Sequence, residues 1–276
     1  MQFISEKQLL HNIENREIFT ASIEGGAFTV KIEKYLPVLC AAIHNGDRFP
    51  AELVQNCLLS EAERYQEEDP YTGSFIEEQA ITIIANDSRY AYDLNRRPEE
   101  CVYETAWGKD VWKKPLSNEI IMQNQQKHAQ FYRVINAVIE ALRKDFGQCV
   151  IYDIHSYNYK RYERTDLPVF NLGTTSVTNE NWRPVIAAWL TELKNITIES
   201  VVTTVAENDI FMGKGFLATS CHERYENVLV LATEVKKVFM DELTGEPDPV
   251  VLPAMQKAFN AAIRESITRP TELVTL

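Results

Sequence analysis

The chain of 276 residues is 45% hydrophobic and 25% charged, a balance that suits a globular protein, and we expect one domain over residues 1–276. Its net charge of −12 opposes binding to nucleic-acid phosphates, and no apolar run is long enough to span a bilayer, so we expect neither nucleic acid nor membrane as a partner. The N-terminal segment lacks the apolar core of a secretory signal, and the five cysteines are scattered without a CxxC pair, which favours a cytoplasmic protein with reduced thiols.

The first third of the chain predicts several strands and a helical region. A glycine pair at 25–26 predicts a hairpin within residues 18–32. The apolar run LPVLCAAI (36–43) predicts a buried strand that ends at a turn-like cluster, and ITIIA (81–85) predicts another. Residues 51–68, between these two strands, are interpreted as helical.

The rest of the chain alternates between helix and strand patterns. The predicted elements are a long helix at 117–145, a strand at 149–154, a loop to about 180, a helix at 184–195, strands at about 200–205 and 228–233, and an amphipathic helix at 251–267. This alternation predicts an α/β fold with a largely parallel central sheet. Ligands of such sheets bind at the carboxyl ends of the strands.

Two of the five histidines stand directly after, or at the end of, predicted buried strands. These are His44 and His155, and Glu234 ends a third apolar run in the same way. A single histidine at a strand end is usually structural, but two at the same predicted sheet edge indicate a metal site. A catalytic zinc site needs three protein ligands, typically histidine and carboxylate, so a third ligand must be found.

Two carboxylates are candidates for that third ligand. Asp47 lies three residues after His44, and Asp69 lies in the acidic segment QEEDPYTGSF (66–75), which is otherwise typical of a solvated surface. Spacing alone leaves both open. Asp153, two residues before His155, is expected to hold the imidazole by a hydrogen bond.

The segment SRYAYDLNRRPEE (88–100) carries groups that recognise anions. Its Arg89, Asn95 and Arg96 are candidates to clamp the carboxylate of a substrate, because arginine forks bind carboxylates at two points. The alternative is a surface loop with internal Asp–Arg pairs.

Burying a carboxylate at the end of an apolar strand is energetically costly, so such a residue usually has a catalytic role or a charged partner. We therefore interpret Glu234 as a general base, with a salt bridge to Lys236 or Lys237 as the alternative. The GKG sequence at 213–215 lacks the ending of a phosphate-binding loop and is interpreted as a close-approach loop of the active site or as a plain turn.

Seven segments together resemble the N-formylglutamate amidohydrolase family. They follow one another in the order found in that family and span about residues 40–245. They are HNGDRFP (44–50), EEDPYTGSF (67–75), SRYAYDLNR (88–96), YDIHSYN (152–158), FNLGT (170–174), ENDIFMGKGF (207–216) and ATEVKKVFMDE (232–242). The resemblance implies a three-layer α/β sandwich with a mixed, largely parallel central sheet flanked by helices. This is a zinc-exopeptidase-like fold, distantly similar to the zinc carboxypeptidases.

The resemblance also implies the roles of the candidate residues. One Zn²⁺ ion would be bound by His44, Asp69 and His155, since the family has an acidic residue at the position of Asp69 rather than at Asp47. Glu234 would be the catalytic base. The residues that would bind the substrate carboxylate are Arg89, Asn95 and Arg96.

The implied function is hydrolysis of a small anionic amide, an N-acyl amino acid such as N-formyl-L-glutamate, to formate and glutamate. The alternatives are a zinc carboxypeptidase or deacylase acting on peptide or cell-wall fragments, and a non-catalytic metal-binding regulatory protein. Three departures from the family pattern indicate a distinct subgroup. Ala42 and Ile43 precede His44 where a proline is usual, and two segments are unfamiliar, VYETAWGKDVWKK at 102–114 and HSYNYKR at 155–161.

Overall fold

The computed structural model of the protein describes residues 2–268, and a mixed nine-stranded sheet forms their centre. The strands are β1 (Gln2–Ile4), β2 (Phe19–Ile23), β3 (Phe28–Ile32), β4 (Val38–Ala42), β5 (Ile81–Ala85), the separate hairpin β6 (Thr105–Ala106) and β7 (Lys109–Asp110), and then β8 (Cys149–Tyr157), β9 (Phe170–Gly173), β10 (Val205–Glu207) and β11 (Val228–Lys236). The large sheet has the order β1-β2-β3-β5-β4-β8-β11-β9-β10. Its central strands β5, β4, β8 and β11 are parallel, whereas β3 and β9 pair antiparallel with their inner neighbours.

Helices cover both faces of this sheet. They are α1 (Glu6–Glu14), α2 (Ala51–Val54), α3 (Glu61–Glu67), α4 (Asn118–Phe146), α5 (Arg183–Asn195), α6 (Phe216–Arg224) and α7 (Val251–Thr268). Within residues 2–268, none of them combines the length and the apolar character that a bilayer-crossing helix requires.

Strand alternation separates the core into two layers. Ile151 on β8 packs in the cluster that includes α1, α4 and α6, while the adjacent Tyr152 packs in the cluster that includes α5 and α7. In the second layer the ring of Trp189 meets Tyr152 edge-on, with centroids 4.9 Å apart, and also meets Phe259. Truncating a fully buried tryptophan such as Trp189 to alanine typically costs about 3–5 kcal/mol. The three-layer α/β architecture predicted from the sequence is therefore confirmed.

Local sequence features explain where the longest helix begins and ends and which face it buries. Ser117 caps α4 by accepting the N–H of Ile120, and Gly147 ends it in the left-handed region at φ 77°. Its apolar stripe, which includes Phe131, Ile135 and Val138, is buried against the sheet. The helix predicted at 117–145 is confirmed.

Several predicted boundaries were wrong. The strand predicted at 149–154 continues to Tyr157, because β11 pairs with it in parallel as far as Lys236. The helical region at 51–68 is broken into α2 and α3, because Ser60 starts a new helix with a capping box to Glu63. The strand expected at 200–205 lies at Val205–Glu207 instead.

Two strands of the large sheet were not predicted. The segment of β9 was interpreted as part of a loop, yet it runs antiparallel to β11 and parallel to β10. The short β1 pairs in parallel with β2 at the edge of the sheet. Both strands are defined by hydrogen bonds to partners distant in sequence, which local patterns do not reveal.

Candidate metal centre and cavity

Three buried side chains that can bind a metal converge at the carboxyl end of the central strands. His44 lies shortly after β4, and His155 lies near the end of its parallel neighbour β8. Asp69 comes from the segment after α3, and its backbone N–H donates to the carbonyl oxygen of His44 at 2.9 Å. Asp47, the other carboxylate that spacing left open, is exposed and lies outside this cluster.

Two separations between donor atoms of the cluster are compatible with a bound metal ion. The Nδ1 atoms of His44 and His155 lie 3.4 and 3.1 Å from Oδ2 of Asp69, and one ligand atom from each residue lies within 4.8 Å of the others. Zinc–ligand bonds of about 2.0–2.1 Å in a tetrahedron place ligand atoms about 3.3 Å apart. Nδ1 of His44 is buried and has no hydrogen-bond partner within residues 2–268. Two imidazole nitrogens and one carboxylate therefore fit the donor set of a catalytic zinc.

A buried carboxylate stands behind each histidine. Nε2 of His44 is hydrogen-bonded to Asp93 at 2.7 Å, and Nε2 of His155 lies 3.1 Å from Oδ1 of Asp153. Asp153 is on the same face of β8 as His155 because strand side chains alternate. Such partners fix which ring nitrogen faces a metal. The sequence suggested this contact for Asp153, whereas the role of Asp93 was missed.

Asp93 is the most heavily hydrogen-bonded carboxylate of the site. Besides His44 it accepts from the guanidinium of Arg89 at 2.8 Å, from the backbone N–H of Asn95 at 2.6 Å and from the hydroxyl of Tyr103. Burial favours the neutral acid, but Arg89 and His44 outweigh it and hold the pKa of Asp93 well below its usual value. Asp93 is therefore an ionised anchor shared by a predicted metal ligand and a predicted substrate-binding arginine.

Replacing Asp93 with Asn is expected to lower the free energy of unfolding by about 3–5 kcal/mol, because it breaks an ion pair between this buried carboxylate and the partly buried Arg89. Urea unfolding in the presence of a chelator measures this without any contribution from metal. Asp166→Asn is the matched control, since Asp166 also pairs with an arginine, Arg164, but is exposed. We expect little change there. A loss no greater than that of the control would contradict the anchoring role.

The electrostatics around His155 favour a positive charge. Burial lowers the pKa of this imidazole, but Asp153 and Asp69 overcome it and raise the pKa well above its usual value. The pKa of Asp69 moves the other way: burial opposes ionisation, yet His155 and His44 hold it well below the ordinary range. A centre with this charge pattern attracts a cation.

Glu234 lies beside His155, opposite it in the parallel register of β11 and β8. Burial raises its pKa to about 8, and the neighbouring His155 opposes this rise. Within residues 2–268 it forms no ion pair with Lys236 or Lys237, so those predicted alternatives are wrong. The ammonium of Lys236 instead lies 4.5 Å from the ring centre of Tyr159.

Lys237 has a structural position that the sequence did not reveal. Its side chain is buried, and Nζ donates to the carbonyl oxygens of Gln66 and Glu68 at 2.8 and 2.7 Å. These bonds tie the end of β11 to the segment that carries Asp69. Burial lowers the pKa of Lys237, which Asp69 partly offsets.

The cluster opens into a cavity of about 460 Å³. The seven residues to which the resemblance assigns roles all line it: His44, Asp69, Arg89, Asn95, Arg96, His155 and Glu234. Arg89 is held by Asp93 and stacks on Trp107, with 4.9 Å from its guanidinium to the ring centre. Oδ1 of Asn95 is buried without a partner in the part of the chain that the structure describes, and Arg96 is exposed. The structure thus brings the predicted site residues together in one place.

The model of the N-formylglutamate amidohydrolase family matches residues 36–240, most of the chain and all of this site. The chain belongs to that family. The resemblance inferred from the seven segments is confirmed. No functionally curated protein matches the chain in sequence.

Two solved structures superimpose on this chain with TM-scores above 0.5, and a third is a more distant neighbour. The enzyme of this name from Ralstonia eutropha JMP134 is 20% identical, covers 87% of this chain and 97% of its own, and superimposes with a TM-score of 0.73. A gene product from Agrobacterium tumefaciens is 17% identical, with coverages of 87% and 95% and a TM-score of 0.60. A metallo-carboxypeptidase from Burkholderia cenocepacia is 13% identical, with coverages of 87% and 60% and a TM-score of 0.42.

In this member of the amidohydrolase family, the GKG sequence forms a loop that packs closely against the end of β9 and against Asn95 in the cavity wall. A Cβ atom at Gly213, which has φ +71°, would overlap the backbone of Gly173. A Cβ atom at Gly215 would overlap the side-chain amide of Asn95. Of the two alternatives for this segment, the structure therefore favours the close-approach loop over a plain turn.

A neutral histidine supports this loop from behind. Ser176 donates to the carbonyl oxygen of Gly213 at 2.7 Å, and its hydroxyl lies 3.0 Å from Nδ1 of His222. Nε2 of His222 accepts the backbone N–H of Val230 at 2.9 Å, so it carries no proton. Burial lowers the pKa of His222 to about 4.

This arrangement predicts an acid-dependent loss of stability. The folded pKa of His222 (about 4) lies below the ordinary value of 6.5, so only the unfolded chain takes up this proton between those two values. The contribution of His222 to the free energy of unfolding should fall as the pH drops from 6.5 towards 4. Urea unfolding of His222→Gln, which cannot titrate, should show a shallower decline over that window than the wild type. Equal slopes would contradict the prediction.

Proposed function

We propose that this member of the family is a zinc-dependent hydrolase that cleaves the amide bond of a small N-acyl amino acid of the N-formyl-L-glutamate type. The observation that supports it is the convergence of two imidazole Nδ1 atoms, one carboxylate oxygen and Glu234 in a cavity that the cation of Arg96 also lines. The family membership supports the same reaction class.

The residues that would hold the ion are His44, Asp69 and His155. A zinc ion bound there supplies Lewis-acid chemistry, which polarises a carbonyl and makes water more acidic. Asp93 and Asp153 would hold the two imidazoles by Nε2, so that both Nδ1 atoms face Asp69.

Glu234 would carry the proton in this reaction. It would take a proton from the attacking water and deliver it to the amine that leaves when the amide bond breaks. Burial raises the pKa of Glu234, and a cation bound beside it would lower that pKa again, which would leave a carboxylate able to accept the proton.

Asn95 and Arg96 would bind the α-carboxylate of the substrate, and Arg89 would orient the scissile carbonyl. Arg89 is already fixed between Asp93 and Trp107, so little side-chain freedom is lost when a substrate binds. Fixing the substrate by its carboxylate places the amide against the catalytic groups.

The test is formate release from N-formyl-L-glutamate by the zinc-loaded protein. We expect formate and glutamate in equal amounts, loss of activity with a chelator, and recovery with added zinc. A protein that holds one equivalent of zinc but hydrolyses no N-acyl amino acid or peptide would contradict the proposal and would favour the non-catalytic metal-binding alternative.

A second cavity favours a related candidate function, deacylation of peptide or cell-wall fragments. This cavity of about 380 Å³ adjoins the first and shares four lining residues with it: Glu67, Trp107, Asn158 and Arg161. The side-chain oxygen of Asn158 is buried without a partner in the described chain, and Trp107 is partly exposed between the two spaces. An acyl group larger than formyl could extend into this space.

Comparing N-formyl-, N-acetyl- and N-alanyl-L-glutamate decides between the two candidates. A kcat/KM that is highest for the formyl compound supports the first proposal. A kcat/KM that increases with the length of the acyl group supports the second.

A further inference from the structure

The cavity is lined by five cationic side chains, and three of them are already engaged within the protein. Arg89 pairs with Asp93 at 2.8 Å, Arg161 pairs with Glu67 at 2.6 Å, and Lys237 donates to two buried carbonyl oxygens. The other two are Arg96 and Lys214.

Arg96 and Lys214 are exposed and have no carboxylate partner within residues 2–268. Both line the same cavity. In a protein with a net charge of −12, carboxylates are plentiful, so two unpaired cations in one cavity are suited to an external anion. A ligand with two carboxylates supplies one partner for each of them.

The backbone on both sides of Lys214 is fixed by close contacts. Gly213 packs directly on Gly173, and Gly215 packs directly on the side chain of Asn95. A third link follows, because the N–H of Phe216 donates to the carbonyl oxygen of Asn95 at 3.1 Å. The loop therefore presents Lys214 at a set distance from the segment that carries Arg96.

We propose that Lys214 binds the side-chain carboxylate of the substrate and makes the site selective for acidic N-acyl amino acids. Arg96, with Asn95, takes the α-carboxylate, and Lys214 takes the second one as a point charge with three donors. This inference rests on the proposed function and assigns the amino-acid selectivity of that site to one residue.

The experiment compares N-formyl-L-glutamate with N-formyl-L-glutamine, which has the same shape but no second charge. In zinc-loaded Lys214→Met, kcat/KM for the glutamate compound should fall about 10- to 100-fold, mainly through KM, because a charge-assisted hydrogen bond is lost. The glutamine compound should lose much less, so the preference for glutamate should largely disappear.

Two further variants serve as controls. Lys257→Met removes an exposed lysine on α7 that does not line the cavity, and we expect wild-type kinetics from it. Lys214→Arg keeps the charge and should retain most of the preference. An unaltered preference in Lys214→Met, or the same loss in both methionine variants, would overturn the proposal.

A binding measurement separates this inference from the proposed function. Calorimetric titration of the zinc-loaded protein with L-glutamate and L-glutamine needs no turnover. If the wild type binds glutamate more tightly than glutamine and Lys214→Met does not, the role of Lys214 is supported even when neither formyl compound is hydrolysed. The absence of hydrolysis would refute only the proposed function. Equal affinity of the wild-type protein for both amino acids would overturn the role of Lys214.

Discussion

Glu234→Gln should lower kcat for amide hydrolysis by about 100- to 10,000-fold, the range associated with loss of a general acid–base group. Glutamine has nearly the same shape but cannot take the proton of the attacking water. The position of Glu234 beside His155 and its raised pKa support this role. Initial rates of formate release under saturating substrate would measure the effect.

The zinc content of Glu234→Gln must be measured together with its rate. Glu234 is not a member of the metal-binding cluster, so Glu234→Gln should still bind zinc. Glu223→Gln makes the same change at an exposed position of α6 and should leave the rate unaltered. If Glu234→Gln retained full activity with zinc in place, the carboxylate would have no part in proton transfer.

Asp69→Asn should weaken zinc binding by more than about 100-fold, because it exchanges an ionised oxygen ligand for a neutral amide. Removing a residue that only hydrogen-bonds to a metal ligand already lowers metal affinity by about 10- to 100-fold. His44→Ala and His155→Ala should weaken binding similarly. Competition with a chromophoric chelator gives the affinities. Asp47→Asn is the matched control, since it removes the carboxylate that spacing alone allowed but that lies exposed outside the cluster.

The same variants should lose their stabilisation by metal. Zinc at a hundredfold excess over its dissociation constant should raise the free energy of unfolding of the wild type by about 2.7 kcal/mol. This increase should be absent in Asp69→Asn and present in Asp47→Asn. The opposite pattern would make Asp47 the third ligand.

The site combines charges that would be costly to bury singly. Asp93 and Asp153 each stand against an imidazole, and Lys237 is buried against backbone carbonyls rather than against a carboxylate. Because each of these buried charges has a partner, removing one partner leaves the other group unpaired in the low-dielectric interior. Substitutions behind the cluster should therefore affect stability as well as chemistry.

Much of the fold and most of the candidate site could be predicted from the sequence. The glycine pair before β3, the apolar strands β4 and β5, and the cap and stripe of α4 are local patterns with local causes. The seven ordered segments were enough to recognise the family. They also singled out the residues that line one cavity, although the roles of these residues remain predictions.

Only the tertiary structure decided how distant segments meet. Spacing made Asp47 as plausible as Asp69, but the N–H bond from Asp69 to the carbonyl of His44 brings the later residue into the cluster. Asp93 and Lys237 had no local signal, because their roles consist of hydrogen bonds to groups far away in the chain. Sequence patterns record which faces of an element are apolar, whereas partners of buried polar groups depend on which segments the folded sheet places side by side.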